Sequence, residues 1–276
     1  MSLSYAGRRW RDSLRDSVTR SLLDVFLQQL KTAPSSVLLL DYDGTLAPFH
    51  VDRNRAFPYP GAISILENIA RSDSTKVIII SGRPIVELRV LLAPMNNLEM
   101  WGTHGLERQL SNGSYSCIPI NEEDEVALTK AHEWIVAAGL LSRVEIKLGG
   151  IAIHWRGLSP AEAKSVQSLT VDGWTKIAEQ SRLKLLQFEA GLELRVSHPD
   201  KGDAVMSILA DLEPGAPVAY LGDDLTDEDA FRVLNGYGLT VLVKDTYRET
   251  NADTWIRPPQ ELIDLLKRWL INISSK

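Results

Sequence analysis

Two carboxylates separated by a single residue, Asp41 and Asp43, follow the apolar run Val37-Leu38-Leu39-Leu40, and Gly44 comes directly after them. Residues i and i+2 of an extended backbone point to the same side. At the end of a buried strand, the first carboxylate can attack phosphorus, as in enzymes that form an aspartyl-phosphate. The second can protonate the leaving oxygen and later activate water. Gly44 lets the chain turn away at once. An acid-rich Asx turn without chemistry has the same composition, so the pair alone leaves both readings open. A second acidic group, Gly222-Asp223-Asp224-Leu225-Thr226-Asp227-Glu228-Asp229, follows the run Val218-Ala219-Tyr220-Leu221. Its five acids in seven residues repel one another unless a cation or solvent compensates. Hard oxygen ligands of this kind suit magnesium. We expect Asp223 to serve the metal, and Asp227 to Asp229 to serve partly the first turn of the helix behind Thr226.

Two smaller pieces complete a site for phosphoryl chemistry. Ser81-Gly82-Arg83 follows the run Val77-Ile78-Ile79-Ile80, and Pro84 opens a helix behind it. A hydroxyl and backbone N–H groups at a helix start can hold phosphate oxygens. Lys201-Gly202 opens another helical stretch, and the lysine ammonium can offset charge on an aspartate and a phosphate. Each piece alone is usually a turn; their order along the chain gives them meaning.

These residues must be positioned by the elements that carry them. Continuous apolar runs at 37–40, 77–80, 218–221 and 239–243 predict parallel strands covered on both faces. Helical patterns at about 61–71, 84–92, 202–212 and 226–235 lie between or beside them. Strands alternating with helices predict an α/β core, a doubly wound parallel sheet, whose ligands sit at the carboxyl ends of the strands. From about 112 to 197 the pattern changes to strand, helix, two strands, helix, two strands. Helices are expected at 122–139 and 160–181, and paired strands around the turn signals Gly149-Gly150 and Ala190-Gly191. Residues 112–196 are therefore expected to form an inserted α+β cap domain, and 1–111 with 197–276 the core. Residues 1–35 form a helical lead. Within it Trp10, Leu14, Val18, Leu22, Val25, Phe26 and Leu30 make one apolar stripe, which suits packing on the core edge or an amphipathic helix for a membrane or partner.

Composition narrows the partners. The chain has 276 residues, 44% hydrophobic and 24% charged, with a formal net charge of −6. These values fit a globular protein. No basic tract dominates any segment, so nucleic acid is not an expected partner. No apolar run approaches the ~18 residues that span a bilayer. The early arginines Arg8, Arg9, Arg11 and Arg15 are not followed by a continuous apolar run, so a signal peptide and a membrane are not expected. The single cysteine, Cys117, fits a reducing, cytoplasmic setting.

In their order, Asp41-x-Asp43-Gly44-Thr45, Ser81, Lys201 and Gly222-Asp223-Asp224 resemble the four motifs of haloacid-dehalogenase-like phosphatases. That resemblance implies Asp41 as nucleophile and Asp43 as general acid/base. It implies that Ser81, Gly82 and Lys201 position the phosphoryl group, and that Mg2+ is held by Asp41, the carbonyl of Asp43 and Asp223. The inserted block falls where the type-two subgroup carries its cap. More narrowly, Asp41–Pro48, Gly102-Thr103-His104-Gly105-Leu106-Glu107 and Gly222–Phe231 are similar to the trehalose-6-phosphate phosphatase family. So are Glu145-x-Lys147, His154-Trp155-Arg156 and Glu193-x-Arg195, although that family more often carries tyrosine at the place of Trp155. Membership implies a sugar phosphate as substrate, with His104, Glu107, Glu145, Lys147 and Glu193 as its binding residues. The residues themselves agree: charged side chains on an open sheet face suit a polyhydroxylated ligand. A plain solvated face, or a core position for His104, would look the same in sequence. Expected activities are hydrolysis of trehalose 6-phosphate or of another osmolyte phosphate such as sucrose phosphate or glucosylglycerol phosphate. A phosphotransferase and a non-catalytic phosphosugar-binding regulator are the alternatives.

Overall fold

A computed structural model describes residues 5–50, 52–93, 95, 97–188 and 190–274, with side chains from residue 19 onward. Its strands, in chain order, are β1 (Ser36–Leu40), β2 (Thr75–Ile80), β3 (Glu99–Gly102), β4 (Glu107–Gln109), β5 (Tyr115–Cys117), β6 (Val144–Lys147), β7 (Gly150–His154), β8 (Lys184–Phe188), β9 (Gly191–Arg195), β10 (Val218–Gly222), β11 (Leu239–Val243) and β12 (Thr254–Ile256). The helices are α1 (Tyr5–Thr32), α2 (Ala62–Arg71), α3 (Ile85–Leu91), α4 (Glu122–Ala137), α5 (Pro160–Glu179), α6 (Lys201–Ala210), α7 (Glu228–Leu234) and α8 (Gln260–Ile273). None of the described helices is long and apolar enough to cross a membrane.

The larger sheet runs β12-β11-β10-β1-β2-β3-β4-β5 and is parallel from β12 to β3. Its apolar runs are continuous because both faces are covered. Leu38, Leu40, Val77, Ile79, Ala219 and Leu221 face one core with α1, α2, α3 and α8. Val37, Leu39, Ile78, Ile80, Val218 and Tyr220 face the other, with α6 and α7. β1 lies between β10 and β2. The chain leaves it toward β2 on one side and later returns to β10 on the other. A crevice forms where a parallel sheet reverses its order in this way, and Asp41 stands at its mouth.

The smaller sheet, β6-β7-β9-β8, is antiparallel. Ile151, Ile153, Leu192 and Leu194 pack against Ala131, Ile135 and Trp174 of α4 and α5. Side chains alternate along a strand. Glu193, lying between Leu192 and Leu194, therefore points to the opposite face, and the register sets it beside Ala152, which pairs with Glu145.

Three findings go beyond or correct the expectations. The strand expected at the start of the inserted block forms at β5, but it pairs with β4 on the edge of the larger sheet. Five residues join β4 to β5, closed by Leu110 N–H donating to the Ser114 carbonyl (2.9 Å). A short loop costs the least closure entropy, so the local hairpin prevails. Next, α1 does pack on the core edge, but its buried stripe is Leu23, Phe26, Leu27 and Leu30, while Leu22 and Val25 are exposed. One residue turns a helix by about 100°, so the stripe is rotated by about one position from the expected one. The Trp10, Leu14 and Val18 part of that stripe lies outside the described side chains. Finally, β12 and α8 carry no sequence expectation. α8 buries Leu262, Leu265, Leu266, Trp269 and Ile273, an i, i+3, i+4, i+7 face.

Trp269 joins these parts. Its ring meets Phe26 of α1 (centroids 5.5 Å apart) and its Nε1–H donates to Thr75 Oγ1 (3.1 Å). Trp269→Ala is expected to destabilise the protein by roughly 3–5 kcal/mol. Urea denaturation checks this; a loss below ~1 kcal/mol would show that the helix is peripheral to the core.

Candidate active site

Asp41 is fixed first by its backbone: its N–H donates to the Leu221 carbonyl on β10 (2.9 Å). Its buried carboxylate accepts from Lys201 Nζ at Oδ1 (2.7 Å) and from Thr45 Oγ1 at Oδ2 (3.3 Å). Lys201 is the first residue of α6, which Asp200 caps by accepting the N–H groups of Gly202 and Asp203. Its ammonium also donates to Asp227 Oδ1 (2.7 Å). Tyr220 donates its hydroxyl to the same oxygen (2.6 Å), and Asp227 Oδ2 accepts the N–H groups of Asp223 and Asp224 (both 2.9 Å). Asp227 thus braces the acidic loop and Lys201; its side chain closes the single 3-10 turn Leu225–Asp227, capped by Asp224, and makes no cap bond to α7, so the helix-start role expected behind Thr226 falls to that turn. Glu228 has its own task, accepting from Arg248, Thr250 and Asn251. Gly44 is needed at its place: φ is +83°, and a Cβ there would lie 2.3 Å from Asp223 Oδ2.

The acids outnumber the cations, and the charge imbalance shows. Burial pushes the Asp41 carboxyl up to about 7, against the pull of Lys201. Burial also raises Asp223 well above the carboxylate range, with Asp41 and Asp227 adding to the effect. For Asp227, the opposition of burial is overcome by Lys201 and by its hydrogen bonds, so it lies below its usual value. The ligand atoms of Asp41, Asp223 and Asp227 fall within 4.8 Å of one another. Both oxygens of Asp227 are already committed, so it is not a free ligand. Asp223 Oδ1 is different: it is buried and without a hydrogen-bond partner. Among the described residues its Oδ2 has only Lys244 Nζ, at 3.4 Å. An orphaned carboxylate oxygen next to a weakly bonded Asp41 Oδ2 fits a divalent cation.

Ser81 follows β2, and its Oγ accepts the Arg83 N–H (3.2 Å), which folds Ser81-Gly82-Arg83 into a tight turn. Ser81 and Gly82 line the cavity beside Asp41. A Cβ on Gly82 would lie 2.6 Å from His104 Nε2, so glycine is what lets the histidine approach. The Arg83 side chain leaves this turn for Asp43, where Nε and Nη2 each donate to one carboxylate oxygen (both 2.6 Å).

The smaller sheet faces these groups across a cavity of about 510 Å3. Asp41, Asp43, Ser81, Gly82, His104, Lys201 and Asp223 line one side; Glu145, Lys147, His154 and Glu193 line the other. The acids of the second side are already paired. Glu193 is buried and accepts from Lys147 Nζ (3.0 Å), with His104 Nε2 at 3.7 Å. Glu145 meets His154 Nε2 (2.8 Å) and the guanidinium of Arg53, which reaches over from the segment between β1 and α2. His104 sits in a left-handed turn with Thr103 (φ +57° and +49°). Such conformations cost about 1–3 kcal/mol each and cluster at functional sites. Burial, reinforced by Arg195, lowers His104 to about 4, so its ring is neutral at pH 7. Its Nδ1 is buried without a partner.

Glu107 is the one expected site residue that does not line this cavity. Its carboxylate accepts from Thr103 Oγ1 (2.5 Å), the Ile85 N–H (3.3 Å) and the Tyr115 hydroxyl (3.0 Å). It holds the strained 103–105 turn and the start of α3, so it supports His104 rather than facing a ligand. Sequence reasoning missed Arg53, Arg83, Asp227 and Lys244. Their type and position carry a cue, since cations among paired acids need partners, but the partners are set by the fold.

A buried carboxylate at a sheet switch point, a buried lysine beside it and an acidic loop one strand away match a hydrolase of the haloacid-dehalogenase-like class. The fold agrees with a haloacid dehalogenase-like hydrolase from Bacteroides thetaiotaomicron (TM-score 0.62, 16% identity, 85% of this chain and 99% of that one). It agrees further with the C-terminal domain of C. albicans trehalose-6-phosphate phosphatase (TM-score 0.77, 20% identity, 90% and 96%). The trehalose-phosphatase family model matches residues 39–254. Trehalose-phosphate phosphatase B of Arabidopsis thaliana is 30% identical over 277 residues, 90% of this chain and 70% of that protein. The chain belongs to the trehalose-phosphatase family.

The elevated Asp41 has a signed consequence. Below its unfolded value of 3.8 it costs nothing; between there and about 7 the unfolded chain releases the proton that the folded state still holds, so stability falls, and the loss is complete once the folded carboxyl also ionises. Metal-free protein should therefore fall in Tm relative to its Asp41→Asn variant between pH ~4 and ~7. Magnesium should reverse the fall. Parallel Tm curves for the two proteins would show that Asp41 is not under charge stress.

Proposed function

We propose that this chain hydrolyses trehalose 6-phosphate to trehalose and inorganic phosphate through an aspartyl-phosphate on Asp41. The observation that carries the reading is the buried Asp41–Lys201 pair, opposite a hydrogen-bonding sheet face, in a chain of this family. In the first step an Asp41 oxygen bonds to phosphorus while the bond from phosphorus to the sugar oxygen breaks. Asp43 gives its proton to that oxygen, and trehalose leaves. In the second step water attacks phosphorus, Asp43 takes the proton from that water, and the bond to Asp41 breaks. Lys201 and the Ser81–Gly82 turn hold the phosphoryl oxygens throughout. Asp41, the Asp43 carbonyl and Asp223 would hold Mg2+, whose charge would stabilise the phosphoryl oxygens.

Selectivity is assigned to the smaller sheet. Phosphate is common to every sugar phosphate, so discrimination falls to Glu145, Lys147 and Glu193, with His104 at the boundary. In this reading the cap is the part of residues 112–196 that follows β5. The pairing of β5 with β4 supports a first hinge after Cys117, and 196–200 supply the second.

Phosphate release from trehalose 6-phosphate, with sucrose 6-phosphate and glucosylglycerol phosphate as competitors, tests the substrate. Activity should require magnesium and vanish in Asp41→Asn. Full turnover in chelator, or a few per cent retained by Asp41→Asn, would remove the mechanism. Glu145→Ala, Lys147→Ala and Glu193→Ala should each lower kcat/KM for the sugar substrate by roughly tenfold or more. Each should change p-nitrophenyl phosphate hydrolysis far less, because that ester does not reach the sheet. Parallel losses on both substrates would reassign these residues to the fold. Asp43→Asn should lose about 10²–10⁴-fold on the sugar phosphate. Its loss should be smaller on p-nitrophenyl phosphate, whose leaving group needs no proton.

A further inference from the structure

We propose that Arg83 is a positioning residue for Asp43: its planar fork sets the direction in which the acid/base presents its carboxyl group to the reacting oxygens. The inference rests on the role given to Asp43 above and deepens it.

Arg83 stands in the turn assigned to the phosphate and lines the same cavity, but its guanidinium is directed to Asp43. The side chain is 2% exposed. Its Nε and Nη2 donate to the two Asp43 oxygens (both 2.6 Å), and Nη1 donates to the Arg53 carbonyl (3.0 Å) and to Glu87 Oε2 (3.1 Å). Of the five N–H groups on a guanidinium, four are committed. The plane also lies over the Tyr42 ring, 5.4 Å from its centroid, and Tyr42 is itself pinned through its hydroxyl to the Ala56 carbonyl (2.7 Å). Two parallel bonds to one carboxylate fix orientation as well as charge, and a lysine at this place could not reproduce them.

This geometry bears on both half-reactions. After Asp43 has given its proton to the sugar oxygen, it is left as a carboxylate, the form whose two oxygens both accept from the fork. It must then stay aimed at the phosphorus until water arrives and gives up a proton to it. A fixed partner that holds both of its oxygens keeps it there. Glu87 anchors the fork and also accepts from Arg53 (3.3 Å), the residue that grips Glu145 on the smaller sheet. The anchor of the acid/base is thus shared with the sugar-facing side.

The test uses the full chain loaded with magnesium and a series of aryl phosphates of decreasing leaving-group acidity, with trehalose 6-phosphate at the poor end. Arg83→Lys and Arg83→Ala should lose up to about 100-fold on poor leaving groups, the scale of a misplacement near 1 Å. They should lose much less on p-nitrophenyl phosphate, so the dependence on leaving group steepens. In an Asp43→Asn background the same changes should cost almost nothing more. Guanidinium ion should partly restore Arg83→Ala. If the Arg83 variants do not fold, Glu87→Gln leaves the interior filled and should steepen the series in the same direction. Equal losses across the series, losses that add to Asp43→Asn, or a flat series in Glu87→Gln would each overturn the inference. A wild-type enzyme inert on trehalose 6-phosphate would instead remove the substrate reading, because the aryl series needs no sugar.

Discussion

The ammonium of Lys201 lies 2.7 Å from both Asp41 and Asp227, in the interior at the carboxyl end of the larger sheet. Burial opposes its charge, but Asp227 and Asp41 hold it firmly protonated. Removing one partner from a buried ion pair of this kind costs about 3–5 kcal/mol, because a bare charge is left behind. The pair therefore constrains more than chemistry. It ties the start of α6 to the end of β1, and through Asp227 it orders the loop after β10. Asp227 in turn receives the Tyr220 hydroxyl and two loop N–H groups, so the acidic loop is shaped around it. The proposed nucleophile, phosphate grip and metal ligand are placed by one network.

That network is deliberately incomplete on one side. Asp41 and Asp223 both carry raised carboxyls, and Asp223 Oδ1 has no partner. A site with a surplus of buried acids is poorly matched to itself and well matched to a divalent cation. The same principle is used differently on the smaller sheet. There Glu193 is satisfied by Lys147 and Glu145 by Arg53 and His154. Sugar hydroxyls entering that face would exchange with existing partners, which favours a ligand whose hydroxyls match their geometry over one that merely brings polarity.

Arg53 and Arg83 connect the two halves. Both bond Glu87, and between them they reach Glu145 on one side and Asp43 on the other. The proposed acid/base and the proposed sugar reader are thereby held within one run of charges.

Much of this was legible in the sequence. Uninterrupted apolar runs leading into Asp41, Ser81 and Gly222-Asp223 predicted strands buried on both faces, with their polar ends gathered at one edge. Alternation around Glu193 likewise announced a two-faced sheet. These signals are local: period, run length and turn residues act over a few positions. Glu107, Asp227, Arg83 and β5 were not legible in the same way. Nothing near Glu107 in sequence says that its carboxylate will brace Thr103 and the start of α3 instead of facing the cavity. Nothing near Arg83 says that its fork will meet Asp43, 40 residues away. β5 could have served either sheet by its composition, and hairpin closure decided. The sequence by itself determined the central strands β1, β2, β10 and β11, the paired strands of the smaller sheet and the residues that stand at their ends, but not β3, β4, β12 or α8. The tertiary structure alone decided which of those side chains spend their hydrogen bonds on each other and which are left facing the cavity, because partner choice depends on distances between segments remote in the chain.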